Sequence, residues 1–468
     1  MKNLQFLLEN TGIFSSICYN ITTIYRGGQF IKKVLSIIAA LSLVLVAAGC
    51  GNSGESSESK SEKAERQKVE DTVEIDETKL DFPDKKVFGD ETAVELKVLV
   101  PASAAKLTNS QVKAFAKQYP DVIKDISVYI QDGTDTPSEA LKDVENSADV
   151  FNFSGANFAD HLDAGVLAPV SEEFLNDAMQ YNYGDTVENA TARSTMYAYP
   201  EDGGDTYCLV YDKTVVSDED ATTLEGVLKA CKKAGRHFVM DIGNGYYACT
   251  FAFTGGMTPR SIGDDGKTQL FNEYNEEEVV DSLMAFAKLM KEYKGTFISD
   301  VSEQISARLN SKTAAAGIDF CRNLNADKLA LKDDLGVAKL PTVNINGNDT
   351  QMISVRDSYY LGVNSGSSYP KAAQALAYFL SSEGCQYQRM ETLGWVPSHM
   401  MVLQEAKDYP SVTAVCRQLN YSVSRKVISD ELWMPMGELG KSLYNDESYA
   451  ENKDKAQTLL QTTVSAVM

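Results

Sequence analysis

From Val94 onward the chain alternates short apolar runs with amphipathic helical stretches, and this alternation limits what it can fold into. In "VELKVLV" (94–100) Leu96, Val98 and Val100 recur at every second position, the period of a strand with one buried face. "LTNSQVKAFAKQYP" follows, with Val112, Phe115, Ala116 and Tyr119 on one helical face and Pro120 closing it. "ISVYIQ" is a second strand. "TPSEALKDVENSA" opens with Thr136, Pro137 and Glu139, a capping box with proline at the first helical position, and leads into the strand "DVFNF". The order β-α-β-α-β predicts a doubly wound α/β lobe, whose ligands sit outside the carboxyl ends of the strands.

The theme repeats further on. "TLEGVLKACKKAG" places Leu224, Val227, Leu228 and Cys231 at helical spacing and stops at Gly235. "FVMDI" is a buried strand, "DDGK" (264–267) a hairpin-type turn, and "EEEVVDSLMAFAKLMKEY" a strongly amphipathic helix. "KTAAAGIDF" and "LGVAKLP" are short strands, and "YPKAAQALAYFLSSEG" is another helix. No repeat of solenoid period is present.

The N-terminal part reads differently. Val34–Ala48 carries no charge, follows Lys32 and Lys33, and ends at Ala47-Ala48-Gly49-Cys50. Such a run is shorter than the about 20 residues of a membrane-spanning helix and has the plan of a secretory leader. It resembles a bacterial lipoprotein signal, with Ala47 where Leu is more frequent. The resemblance implies cleavage before Cys50, a diacylglyceryl thioether on that cysteine, and anchorage in the bilayer. Each buried methylene contributes about 0.8 kcal/mol, so two acyl chains hold a protein where one does so marginally. Residues 1–29 precede the leader and read as an upstream extension from a mis-assigned start. "GNSGESSESKSEKAERQKVEDTVEIDETK" has too few apolar residues to offset its ordering entropy, which makes 50–92 a tether. About 35 residues of flexible chain span roughly 30 Å.

Charge narrows the partners. The net charge is −22, and residues 1–49 hold Lys2, Arg26, Lys32 and Lys33 against Glu9, so the chain from Cys50 carries −25. Nucleic acid is excluded as a partner, because phosphates must be neutralised by Lys and Arg. Cysteines 208, 231, 249, 321, 385 and 416 form no C-x-x-C pair and have no histidine at ligand spacing, so no metal site is indicated; free buried thiols are expected, with paired disulfides the open alternative. No cofactor motif is present, and nothing marks His161, His237 or His399 as a catalytic base.

The wording of several segments resembles the extracellular solute-binding proteins of ATP-binding-cassette importers, in the maltose-binding-protein branch. "FADHLDAGVLAPVSE" (158–172) is similar to a family segment in which a short helix ends at glycine before Leu-x-Pro. "MYAYPEDGGDTYCLVYDKTVV" (196–216) is similar to its crossover, and "LPT", "AAQALAYFLSSEG" and "LGWVPSH" follow in family order. The resemblance spans about 93–468. It implies a two-lobed periplasmic-binding-protein-like fold of type II, with lobe one over 93–203 and 355–403 and lobe two over 208–350 and 407–468. It also implies a monomer on the outer face of the cell membrane that captures a carbohydrate, an oligosaccharide in the first instance, and delivers it to the importer's transmembrane subunits without catalysis.

A sugar site needs flat aromatic surfaces and paired hydrogen-bonding groups converging in a pocket. The family pattern places Phe153, Ser154 and Asn157 after the strand "DVFNF", and Asp205 at the crossover, with the register blurred by one inserted residue. In "DIGNGYYACTF", Gly243 and Gly245 allow unusual backbone angles and put Asn244, Tyr246 and Tyr247 at a strand exit. "IDFCRN" offers Asp319, Phe320 and Arg322. "SVRDSYY" offers Arg356 and Asp357, which equally suit an internal ion pair. Trp395 and Trp433, the two tryptophans of the chain, fall where the family lines its cleft. Other solutes stay open: an anion held by Arg322 and Arg356, a peptide, or ferric ion at Tyr246-Tyr247 or Tyr359-Tyr360. An accessory binder for a two-component sensor shares the same cleft. An extracellular hydrolase is disfavoured, since no G-x-S-x-G elbow occurs.

Overall fold

The structure is a computed structural model that describes residues 66–131 and 148–468. The leader, Cys50 and the helix expected after Thr136 lie outside the described residues. Ten strands form two large sheets. They are β1 (Val94–Val100), β2 (Ile123–Ile130), β3 (Val150–Ser154), β4 (Ala198–Pro200), β5 (Tyr207–Asp212), β6 (His237–Met240), β7 (Phe297–Ser299), β8 (Ala314–Phe320), β9 (Leu335–Ala338) and β10 (Tyr359–Val363). The helices used below are α1 (Ala105–Gln118), α2 (Leu224–Ala234), α3 (Gly245–Phe253), α4 (Glu276–Glu292), α5 (Pro370–Leu380), α6 (Pro410–Leu419) and α7 (Trp433–Asn445).

The first sheet has the order β2-β1-β3-β10-β4 and the second β7-β6-β8-β5-β9. In each, four strands run the same way and one, β10 in the first sheet and β5 in the second, runs antiparallel to its two neighbours. The fold is therefore α/β with two lobes of similar plan. Parallel strands need crossover helices, and these cover the faces with apolar side chains. One core gathers residues from Val69 to Tyr199 and from Tyr360 to Cys385, a second those from Tyr207 to Val355 and from Ile428 to Val467. A third cluster joins Met390, Val396 and Val402 to Cys208, Val210 and Ile305. The stretch 390–402 thus packs along the seam instead of wholly within lobe one. Among the described residues, no helix is long and apolar enough to cross a membrane.

The tether is shorter than composition predicts. Residues 66–92 run across lobe one: Lys68 bridges Tyr129, and Val69 N–H donates to Val128 at 2.9 Å. Asp76 and Asp84 cap short 3-10 turns, Phe88 is buried 4.8 Å from Tyr119, and Phe82 stacks on Phe379 at 5.2 Å. The average polarity of the segment hides seven apolar residues (Val69, Val73, Ile75, Leu80, Phe82, Val87, Phe88) whose partners are distant in sequence.

Candidate functional site

Three segments pass between the lobes, and they hydrogen-bond to one another. Asp205 N–H donates to Asp357 at 2.8 Å and Asp357 N–H returns the bond at 3.1 Å, while Gly203 N–H donates to Val396 at 2.7 Å. Two glycines make the approach sterically feasible. A Cβ on Gly203 would stand 2.4 Å from the Pro397 oxygen, and Gly204 has φ 124°, which side chains rarely adopt. Asp202 braces this Gly-Gly turn by accepting from Gly204 N–H at 3.1 Å.

A buried ionic group sits on these crossovers. Arg322, just past the end of β8, donates from Nε to Asp205 at 2.7 Å and from Nη2 to Asp202. Its guanidinium lies between the rings of Tyr359 and Trp395, 3.8 Å from each centroid. Burial pushes the carboxyls of Asp202, Asp205 and Glu201 above the usual range, and Arg322 opposes the shift in each. Burial also acts against the charge of Arg322, but Asp202 and Asp205 outweigh it and raise its pKa. Asp205 Oδ1 and Arg322 Nη1 remain buried without a partner. Nearby, Ser154 donates to Asp357, which burial holds up to about 6. Arg356 does not pair with Asp357. It reaches Asp185 of lobe one at 3.5 Å.

Lobe two supplies an aromatic wall. Half-buried Tyr246 has its ring 5.9 Å from Trp433 and 6.2 Å from Phe320, and its hydroxyl donates to Val355 of the crossover at 3.4 Å. Close backbone contact creates this group: a Cβ on Gly245 would stand 2.0 Å from the Trp433 oxygen, and one on Gly437 2.5 Å from the Gly243 oxygen. Neither Gly243 nor Gly245 has a positive φ. The expectation of unusual backbone angles is therefore corrected, because these glycines serve the packing of α3 against α7. Asn244 caps α3 by accepting from Tyr246 N–H at 3.0 Å.

The other candidates are placed as follows. Phe153 is 2% exposed and its ring packs with Phe151, His161 and Tyr360, so it belongs to the core of lobe one. Tyr247 and Asp319 are buried as well. Asp319 accepts from Phe320 N–H at 2.7 Å and Asn323 at 2.8 Å, and shares its environment with buried Asp327. Asn157 holds His161 Nδ1 2.7 Å from its carbonyl. Arg322 and Trp395 face each other in the crossover group instead of lining an open surface. Burial raises the phenols of Tyr246, Tyr247 and Tyr360. Among the described residues, no group of three His, Cys, Asp or Glu is placed to hold a metal.

Two residues had no sequence signal. Arg425 lies 4.7 Å from the Trp433 ring and donates to Asp430, and Lys426 approaches Asn189 of lobe one at 3.5 Å. The Lys426 partner comes from a segment that local patterning cannot connect, whereas Arg425 meets residues on the same stretch of chain. Between the lobes a cavity of about 20 Å³ is lined by Gly155, Asp185, Asn189, Arg356, Asp357 and Lys426, among others. That volume holds a water molecule and no more.

Two α/β lobes with a crossover seam and a polar cleft between them define a two-lobed binding protein. The chain belongs to the bacterial extracellular solute-binding protein family, whose profile matches residues 101–387. Members bind solutes and do not transform them. The fold is similar to that of the maltodextrin binding protein MalE1 from L. casei BL23 without ligand, with TM-score 0.65 and 22% identity over 81% of this chain and 99% of that one. It is also similar to the Thermus thermophilus maltotriose binding protein bound with maltotriose, with TM-score 0.62 and 16% identity over 80% and 98%. The GacH receptor of Streptomyces glaucescens GLA.O, solved unliganded and with acarbose, gives 0.62 and 19% over 80% and 99%. No curated protein matches the sequence.

Proposed function

We propose that the protein is a lipid-anchored extracellular receptor that captures an oligosaccharide between its lobes and presents it to an ATP-binding-cassette importer. The observation that carries this reading is the half-buried trio Tyr246, Phe320 and Trp433 standing beside the crossovers. Flat rings match the C–H faces of a sugar, and Asp185, Asn189, Arg356 and Lys426, which line the small cavity between the lobes, offer groups for its hydroxyls. Similarity to proteins described as binding maltodextrin, maltotriose and acarbose supports the same class. Cys50 supplies the anchor at the border between the apolar run and the polar tether. Closure follows because a solute touching both lobes favours the shut form.

Arg356 and Lys426 favour a second reading in which the sugar carries a carboxylate. A thermal-shift screen over maltodextrins, other neutral oligosaccharides and uronic-acid oligomers tests both, since a ligand of the native state raises its midpoint. A shift with neutral sugars supports the first reading and a shift confined to uronates the second. A shift with only a peptide or a metal overturns the carbohydrate assignment. Mass spectrometry of the membrane-extracted protein is expected to find two or three acyl chains on Cys50, and an unmodified thiol there rejects the anchor.

A further inference from the structure

The second sheet ends at β9, whose outer edge opens onto a groove of about 830 Å³ that shares no lining residue with the interlobe cavity. β9 pairs with β5 on one side, and among the described residues no strand or loop backbone bonds to the other. Leu335 and Val337 are half-buried along it, and α6 forms the facing wall. Edge strands left open are templates for another strand and are normally blunted or covered.

Four cations converge on the groove: Lys213, Lys339, Lys407 and Arg417. Among the described residues none makes an ion pair, whereas cations elsewhere on the surface commonly do. Lys339 donates to the side-chain Oε1 of Gln351, and burial first, then Arg417, holds its amine below the usual value. The two carboxylates in the lining are already engaged, Asp218 by Tyr211 at 2.6 Å and Asp349 by Asn344 at 2.9 Å. On a chain of net charge −22, this is a local reversal of sign.

We propose that the groove docks an acidic, extended peptide segment of a partner protein, which adds a strand to β9 while its carboxylates meet these four cations. Main-chain bonds along an edge supply affinity and alternate side chains supply specificity. A peptide fits better than an anionic membrane or a polymeric polyanion, because the net charge repels extended negative surfaces. A short segment inside the groove lies within about 8 Å of the cations, the screening length at physiological salt.

The test is fluorescence anisotropy of the full chain with two labelled octapeptides, one alternating Glu and Val and one alternating Lys and Val. Binding of the Glu peptide alone, weakened by salt and by about tenfold or more in Lys407→Glu/Arg417→Glu at an unchanged thermal midpoint, is expected. Hydrogen exchange is expected to slow over 335–338 when the peptide is added. Equal binding of both peptides, unchanged affinity in the variant, or binding without protection of 335–338 overturns the proposal. Recruitment to phosphatidylglycerol vesicles with no peptide binding does so too.

Discussion

The guanidinium of Arg322 lies 3.8 Å from the ring centroid of Trp395, joining a side chain that follows a lobe-two strand to the crossover at 395–398. The contact is one face of a sandwich whose other face is Tyr359, and the same guanidinium neutralises Asp202 and Asp205. One residue thereby fixes all three crossovers relative to lobe two. Removing one partner of a buried ion pair costs about 3–5 kcal/mol, since the other charge stays buried. Arg322→Ala is expected to lower the denaturant midpoint by that equivalent. A loss below 1 kcal/mol shows that water already solvates the acids.

Trp433 is the half-buried ring of the aromatic wall that carries Arg425 on one face. Under the oligosaccharide reading, Trp433→Ala weakens sugar binding by about 2 kcal/mol, roughly 30-fold. Arg425→Ala uncovers the ring, and its affinity is expected to move less. Calorimetry on both variants separates the effects, and an unchanged affinity in Trp433→Ala removes this wall from the site.

How much of this was legible in the sequence depended on how far apart the partners lie. Period-two and helical patterns are local, so β1, α1, α2 and α4 appear where Leu96, Val112, Leu228 and Val280 place them. Order along the chain carried the fold class as well. The site was harder because its polarity is decided by tertiary contact. Phe153 exits a strand next to Ser154, yet one ring enters the core while the adjacent hydroxyl reaches a crossover carboxylate. Trp395 and Arg322 each look like ligand contacts alone and become a structural pair only when brought together. Lys426 meets Asn189 across 237 positions, which no local pattern encodes.

Gly245 gives a prediction about packing. A methyl group there would meet the Trp433 carbonyl at 2.0 Å, and Trp433 backbone cannot yield without moving α7. Overpacking of this kind costs about 1–3 kcal/mol. Gly245→Ala is therefore expected to lower the thermal midpoint and to shift the near-ultraviolet circular dichroism of Trp433. Gly256→Ala serves as a contrast, since nothing lies within 4 Å of a Cβ there and the penalty comes from its φ of 97° alone. Equal effects on the tryptophan signal in both variants contradict the close-approach role.

The buried acids predict an unusual pH dependence. Burial holds Asp357 and Asp327 up to about 6 and raises Asp205, Asp202, Glu201 and Asp319 in the same direction. In the unfolded chain such groups titrate near 4. Between about 4 and 6 the folded state therefore binds more protons than the unfolded one, so stability falls as pH rises through that window. The contribution is fully present below about 4 and lost above about 6. Exposed Asp265 and Asp446, held down to about 2 by hydrogen bonds, act the opposite way as pH falls below 4. The thermal midpoint is accordingly expected to peak near pH 4 and to decline as pH rises to about 6. Asp327→Asn isolates one source, because Asp319 and Asp327 each keep a buried oxygen without a partner and an amide can donate where a second carboxylate cannot. The variant is expected to gain several degrees at pH 8 and little at pH 4.5. A variant equally destabilised at both values would show that the two acids do not share a proton.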